Sequence, residues 1–99
     1  MNTNFEIICK CIRSVLPYVR EKEDANAVHF NIKSELFTVN STVTGVWLII
    51  HKPEISDFLS MYAVGASISD NTALYFSDND IINTTALQEL IKMVADTIV

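Results

Sequence analysis

Pro53-Glu54-Ile55-Ser56-Asp57-Phe58-Leu59-Ser60-Met61-Tyr62-Ala63-Val64-Gly65-Ala66 is the stretch on which the fold class turns. Pro53 suits the first turn of a helix, where its missing N–H costs nothing, and Glu54 suits the positive end of the helix dipole. Ile55, Phe58, Leu59 and Tyr62 follow along one helical stripe, with Ser56, Asp57 and Ser60 opposite. From Ala63 the period changes. Val64-Gly65-Ala66-Ser67-Ile68, then Asp70-Asn71, then Ala73-Leu74-Tyr75-Phe76 read as strand, turn, strand, because Asp and Asn tolerate the left-handed backbone of a tight turn. The pattern leaves 53–66 open between helix, strand, and helix followed by strand. Helix followed by strand makes the chain α+β.

Toward the N-terminus, three strands precede this stretch. Val28, Phe30 and Ile32 alternate with His29, Asn31 and Lys33. Leu36 to Val39 is short, with Asn40-Ser41 near its turn. Gly45 to His51 sets Val46, Leu48 and Ile50 on one face and Trp47 and Ile49 on the other, which predicts a strand covered on both sides. Short connections predict an antiparallel meander. Arg20-Glu21-Lys22-Glu23-Asp24 is the most polar run and reads as a solvated connection. Before it, Phe5, Ile8, Ile12, Val15, Leu16 and Val19 recur at helical spacing, and Thr3-Asn4-Phe5-Glu6 fits a capping box with Thr3 as N-cap. Pro17 either ends this helix near Leu16 or kinks it before a last turn through Lys22.

Toward the C-terminus, Ser77-Asp78-Asn79-Asp80 reads as a loop. Thr85-Ala86-Leu87-Gln88 is a second capping-box match, leading a helix with an apolar stripe of Leu87, Leu90, Ile91, Val94 and Ile98. The expected order is α-β-β-β-α-β-β-α: an antiparallel sheet of about five strands, helices at both ends and one between strands, all in a single domain spanning 1–99.

The 99 residues are 49% hydrophobic and 19% charged, against about 25% charged in a typical soluble domain. That composition excludes a disordered chain. The longest apolar run, Val46 to Ile50, is far below the roughly 20 residues of a membrane-spanning helix. Met1–Phe5 has no basic segment leading an apolar run, so no secretory signal and a cytoplasmic location are expected. Net charge is −5. Five acids and five bases balance in 1–50, so the whole deficit falls in 51–99, where Lys52 and Lys92 face seven acids. A nucleic-acid binder needs a basic stripe for phosphates, and anionic membranes need one too; neither partner is expected.

Catalytic and metal chemistry lack a framework. Gly65-Ala66-Ser67-Ile68-Ser69 lacks the last glycine of a nucleophile elbow and leads into a turn. His29 and His51 each sit in or at the end of a strand, where a lone histidine reads as an outward or satisfied side chain. Asp78-Asn79-Asp80 starts like a calcium loop, but Ile82 takes the third ligand position and no glycine follows. Cys9, Cys11, His29 and His51 have no paired zinc spacing. Two glycines build no phosphate loop. Cys9 and Cys11 point about 200° apart on a helix, which prevents pairing, and read as buried thiols. Asn40-Ser41-Thr42 and Asn83-Thr84-Thr85 match the glycosylation sequon, which carries no weight without a secretory signal. No enzyme activity, cofactor or metal is expected.

What remains is binding. Trp47, Phe37, Phe58, Tyr62 and Tyr75 are many large side chains for one small core, and chains of this kind cover such surface by dimerising or holding a partner. The element order, the acidic balance and the run from Gly65-Ala66-Ser67-Ile68-Ser69-Asp70-Asn71 through Thr72-Ala73-Leu74-Tyr75-Phe76 to Leu87-Gln88-Glu89-Leu90 resemble the class I chaperones of bacterial type III secretion, the Tir-chaperone-like fold. The resemblance implies a non-enzymatic homodimer that holds an extended segment of an effector-like client. It implies a dimer interface at Phe58, Leu59, Tyr62 and Val64, and a client groove lined by Ile8, Ile12, Val28, Phe30 and Phe37. For each of these a simple core role is the competing reading. The alternative function is an acidic inhibitor, such as a toxin-immunity or phage anti-defence protein. It would dock Asp57, Asp70, Asp78, Asp80 and Glu89 on a basic nuclease or nucleic-acid-binding surface.

Overall fold

The computed structural model describes residues 3–51, 61–70 and 72–97. Their elements run α1 (Thr3–Val15), β1 (Arg20–Glu23), β2 (Ala27–Asn31), β3 (Glu35–Ser41), β4 (Gly45–Ile50), α2 (Met61–Val64), β5 (Ile68–Asp70), β6 (Ala73–Ser77) and α3 (Thr84–Asp96). The strands form one six-stranded sheet in the order β1-β2-β3-β4-β6-β5, antiparallel at every pairing. The α+β class, the meander and the three-helix order agree with the sequence reading.

Period-two alternation decides which face is dry. Phe30 lies opposite Phe37, Val28 opposite Val39, Val39 opposite Leu48, Phe37 opposite Ile50 and Val46 opposite Phe76. These side chains, with Leu74, form one buried cluster with Ile8 and Ile12 of α1 and Leu87, Ile91 and Val94 of α3. The far face of the sheet, opposite α1 and α3, carries the intervening residues: His29, Thr38, Asn40, Trp47, Ile49 and Tyr75. Trp47 and Tyr75 pair across β4 and β6 with ring centroids 5.0 Å apart.

Five local expectations need correction. Residues 20–23 are not a solvated connection but an edge strand, paired from Arg20↔Asn31 to Glu23↔Val28. All four are exposed, so no apolar alternation betrays them. The sheet accordingly has six strands rather than about five. The first helix includes Thr3 instead of being capped by it, and it ends at Val15; Leu16 still donates to Ile12 O at 2.9 Å and the chain turns at Pro17. The last helix is capped by Asn83, not Thr85: the Asn83 carboxamide oxygen accepts from Ala86 N at 3.2 Å. Two residues earlier than expected, it offers the better side-chain acceptor. Of the helix expected over 53–62, residues 53–60 lie outside the described residues. The described part, α2, runs on to Val64, and strand β5 starts only at Ile68.

Gly65 explains that boundary. It adopts φ +88°, and Ala66 N reaches back to Met61 O at 2.7 Å, the six-to-one bond of a Schellman stop. A further register shift at Phe30/Asn31 puts Asn31 opposite Glu35, so β3 holds one extra residue there. No helix among the described residues is long and apolar enough to cross a membrane.

Candidate functional site

The client-groove candidates are core residues. Ile8, Ile12, Phe30 and Phe37 are fully buried and Val28 is 5% exposed. The resemblance implied a groove lining, but Val28, Phe30 and Phe37 of the sheet pack with Ile8 and Ile12 of α1 in one cluster, so no client reaches them without opening the core. Of the dimer candidates, Phe58 and Leu59 lie outside the described residues. Val64 is buried, whereas Tyr62 is 83% exposed.

Tyr62 belongs to an exposed apolar corner. Val64 O accepts from Asn83 N at 3.1 Å, and the backbone of Gly65 runs beside Ile81 O, so the loop before α3 packs on the α2–β5 connection. Ser67 Oγ donates to Asp80 Oδ2, which also accepts from Ser77 N at 2.8 Å. Tyr62 of α2, Ile68 of β5 and Ile81 of the loop before α3 lie on these joined segments, and they are three of the five exposed large hydrophobics among the described residues. β5 closes the sheet on this side, and its three residues are all exposed.

The acidic candidates do not gather into one patch. Asp57 lies outside the described residues. Asp70 lies opposite Ala73, at the start of β6, and Asp78 follows its end, so the two mark opposite ends of that strand. Asp80 is engaged as a loop-building acceptor. Glu89 is exposed on α3.

The far face holds a polar cluster that reading each histidine singly misses. His29 Nδ1 lies 2.5 Å from Glu35 Oε1, Thr38 Oγ1 donates to the same oxygen at 2.8 Å, and His51 Nε2 lies 2.8 Å from Thr38 Oγ1. The donor inventory assigns the tautomers. A carboxylate only accepts, so His29 carries its proton on Nδ1. The single Thr38 proton goes to Glu35, so His51 donates from Nε2. His29 Nε2 is left facing Asp24 Oδ2 at 4.0 Å, in a shallow depression of about 340 Å³ lined also by Lys22 and Asn31. The signal in the sequence was the hairpin register: His29 opposite Thr38 is forced once β2 and β3 pair.

Hydrogen bonds from Thr38 and His29 hold the Glu35 carboxyl below the usual carboxylate range, against a smaller opposing effect of burial. A carboxyl lowered in the folded state stabilises the fold above its unfolded value, and that stabilisation is lost as pH falls through the folded value. Glu35→Gln is therefore less stable than the parent at pH 6. The gap narrows at a second, lower pH, where the parent carboxylate is itself protonated. Urea titrations at the two pH values check this; a gap unchanged by pH would mean that the carboxylate charge plays no part.

Cys9 and Cys11 are free and buried in α1. Burial pushes the Cys9 thiol up to about 11, so at neutral pH it is not a nucleophilic thiolate. Among the described residues, no group of three or more His, Cys, Asp or Glu side chains is arranged to hold a metal ion. Compared with known proteins, the chain matches no family model, no curated protein and no solved structure.

Proposed function

We propose that this chain is a non-enzymatic, chaperone-like binding protein that dimerises with a second copy through the α2–β5 corner and holds an extended segment of a protein partner. The observation that carries the reading is that β5 ends the sheet formed by the described residues, with Ile68 on that strand 50% exposed and Tyr62 and Ile81 on the adjoining segments 83% and 88% exposed. A free strand edge with apolar side chains invites strand addition.

Symmetry favours β5 over the other edge for self-pairing. Two copies joined edge to edge by a closed two-fold axis keep the same faces up, so far-face residues meet far-face residues. On β1 this forces Arg20 and Lys22 toward their own copies and Glu21 and Glu23 toward theirs, which is repulsive in every register. On β5 no such conflict arises: Ile68 can meet its own copy or Asp70 of that copy. Docking of acidic residues on a basic partner has less support, because Asp70 and Asp78 lie at opposite ends of β6 and Asp80 is internally bonded.

Light scattering over a concentration series tests the reading. The expected result is a dimer that persists in 0.5 M salt, because an apolar contact is not screened. Ile68→Asp combined with Tyr62→Ser weakens it at least about tenfold, the loss expected when two apolar contacts are removed. A monomer at every concentration would sink the proposal.

A further inference from the structure

At its other end the sheet stops at β1, whose outer backbone edge has no strand beside it among the described residues. The charges of Arg20-Glu21-Lys22-Glu23 are sorted by face. Arg20 lies opposite Asn31 and Lys22 opposite His29, which puts both cations on the far face; Glu21 lies opposite Phe30 and Glu23 opposite Val28, on the helix-bearing face. The two faces also differ in how far their charges are satisfied. Glu21 is bound by Arg13 of α1, at 2.9 Å from Nε and 2.7 Å from Nη2. Arg20 and Lys22 form no side-chain hydrogen bond or ion pair with any described residue, and both are exposed.

Charged edges keep strands from adding indiscriminately. A sorted edge does something narrower. An added strand places every second residue on the far face, so a segment with acids two apart sets both beside Arg20 and Lys22 while its backbone extends the ladder. A segment with bases at those positions meets two like charges. The closed two-fold argument removes a second copy of this chain as the occupant. A nucleic-acid strand has no amide ladder to match the edge.

We infer that β1 is a strand-addition site for an extended segment of a partner protein that carries acidic residues at alternate positions. The inference rests on the proposed holding of an extended segment and names that segment's chemistry.

Four capped eight-residue peptides test it: alternating Glu–Thr, alternating Lys–Thr, four Glu followed by four Thr, and alternating Thr–Val. The full chain binds the alternating Glu–Thr peptide best, binding weakens with salt, and amide exchange slows in residues 20–23. The Arg20→Glu/Lys22→Glu variant binds that peptide about tenfold more weakly, as two cross-strand pairs turn from attractive to repulsive, and comes to prefer the Lys–Thr peptide. A Lys10→Glu/Lys92→Glu variant changes net charge equally on exposed helix positions and leaves the preference as it was. Equal binding of the block peptide, or a preference that follows net charge in both variants, overturns the inference. Binding of an uncharged Thr–Val peptide without slowed exchange at 20–23 also overturns it, while leaving the extended-segment reading in place. Binding of no peptide at all overturns both.

Discussion

Replacing Phe37 by alanine lowers the unfolding free energy by about 3–5 kcal/mol, the range for deleting a buried phenyl ring. Phe37 is fully buried, with Phe30 and Ile50 opposite it on the neighbouring strands and α1 and α3 closing over the same cluster. Strands on both sides fix the backbone, so the cavity cannot collapse by a simple local shift. Small domains hold only about 5–15 kcal/mol in total, so the variant sits near the edge of folding. In urea the midpoint falls by about 1–5 M, given slopes of roughly 1–3 kcal/mol per molar. The experiment also separates two roles for this residue. A groove-lining phenylalanine, solvated in the unoccupied protein, would lose client binding with little change in stability. A loss below about 1 kcal/mol would therefore return Phe37 to the surface and overturn the packing described above.

Gly65→Ala is the second large effect, and it acts through the backbone. Two costs add. At φ +88° an L-residue pays about 1–2 kcal/mol for the left-handed conformation. The new Cβ would also stand 2.2 Å from Ile81 O, a backbone atom in a loop held by Asp80 and by the Asn83–Val64 hydrogen bond. We expect a total loss of about 3 kcal/mol or more, since clash and strain are both on the short list of severe mechanisms. Gly65→Asn separates them. Asparagine tolerates the left-handed region, so recovery in Gly65→Asn would mean that strain alone matters. The close approach to Ile81 predicts no recovery. Thermal melts of the three proteins decide this. Because Ile81 and Tyr62 flank the same connection, the alanine variant also weakens the dimer proposed at this corner.

Much of the fold was legible because its residues face one way at a time. Val28 and Phe30, and Val46, Leu48 and Ile50, alternate cleanly and line the buried face. The stripe of Leu87, Leu90, Ile91 and Val94 sits where a 3.6-residue period puts it, on the buried side of α3. The apolar second face of β4 is explained by Trp47 packing with Tyr75. Gly45 makes room for that ring, because a Cβ there would lie 2.6 Å from the tyrosine oxygen. β1 was not legible because an exposed strand held by backbone bonds alone leaves no hydrophobic signature. Ile32 fits the β2 alternation, but β2 stops at Asn31, because the register shift at that point cannot be read from hydropathy. The candidate site was least legible of all. The His29–Glu35–Thr38–His51 chain depends on a register joining three strands, and the Tyr62–Ile68–Ile81 corner on a loop folding back over a glycine. Each brings together residues that no local window contains.

The strand order has a consequence for how the chain is made. β1 to β4 are neighbours in sequence and in space, so residues 20–50 can pair as soon as they leave the ribosome, with short loops and little closure entropy. The outer edge of β4 must then wait for β6, which arrives more than twenty residues later. During that interval Val46-Trp47-Leu48-Ile49-Ile50 presents a free, strongly apolar edge, the kind of segment that seeds intermolecular pairing. The finished protein hides it in the middle of the sheet and turns the charged strand β1 and the short strand β5 outward. Its vulnerable moment is thus confined to synthesis, between the completion of one hairpin and the arrival of the next.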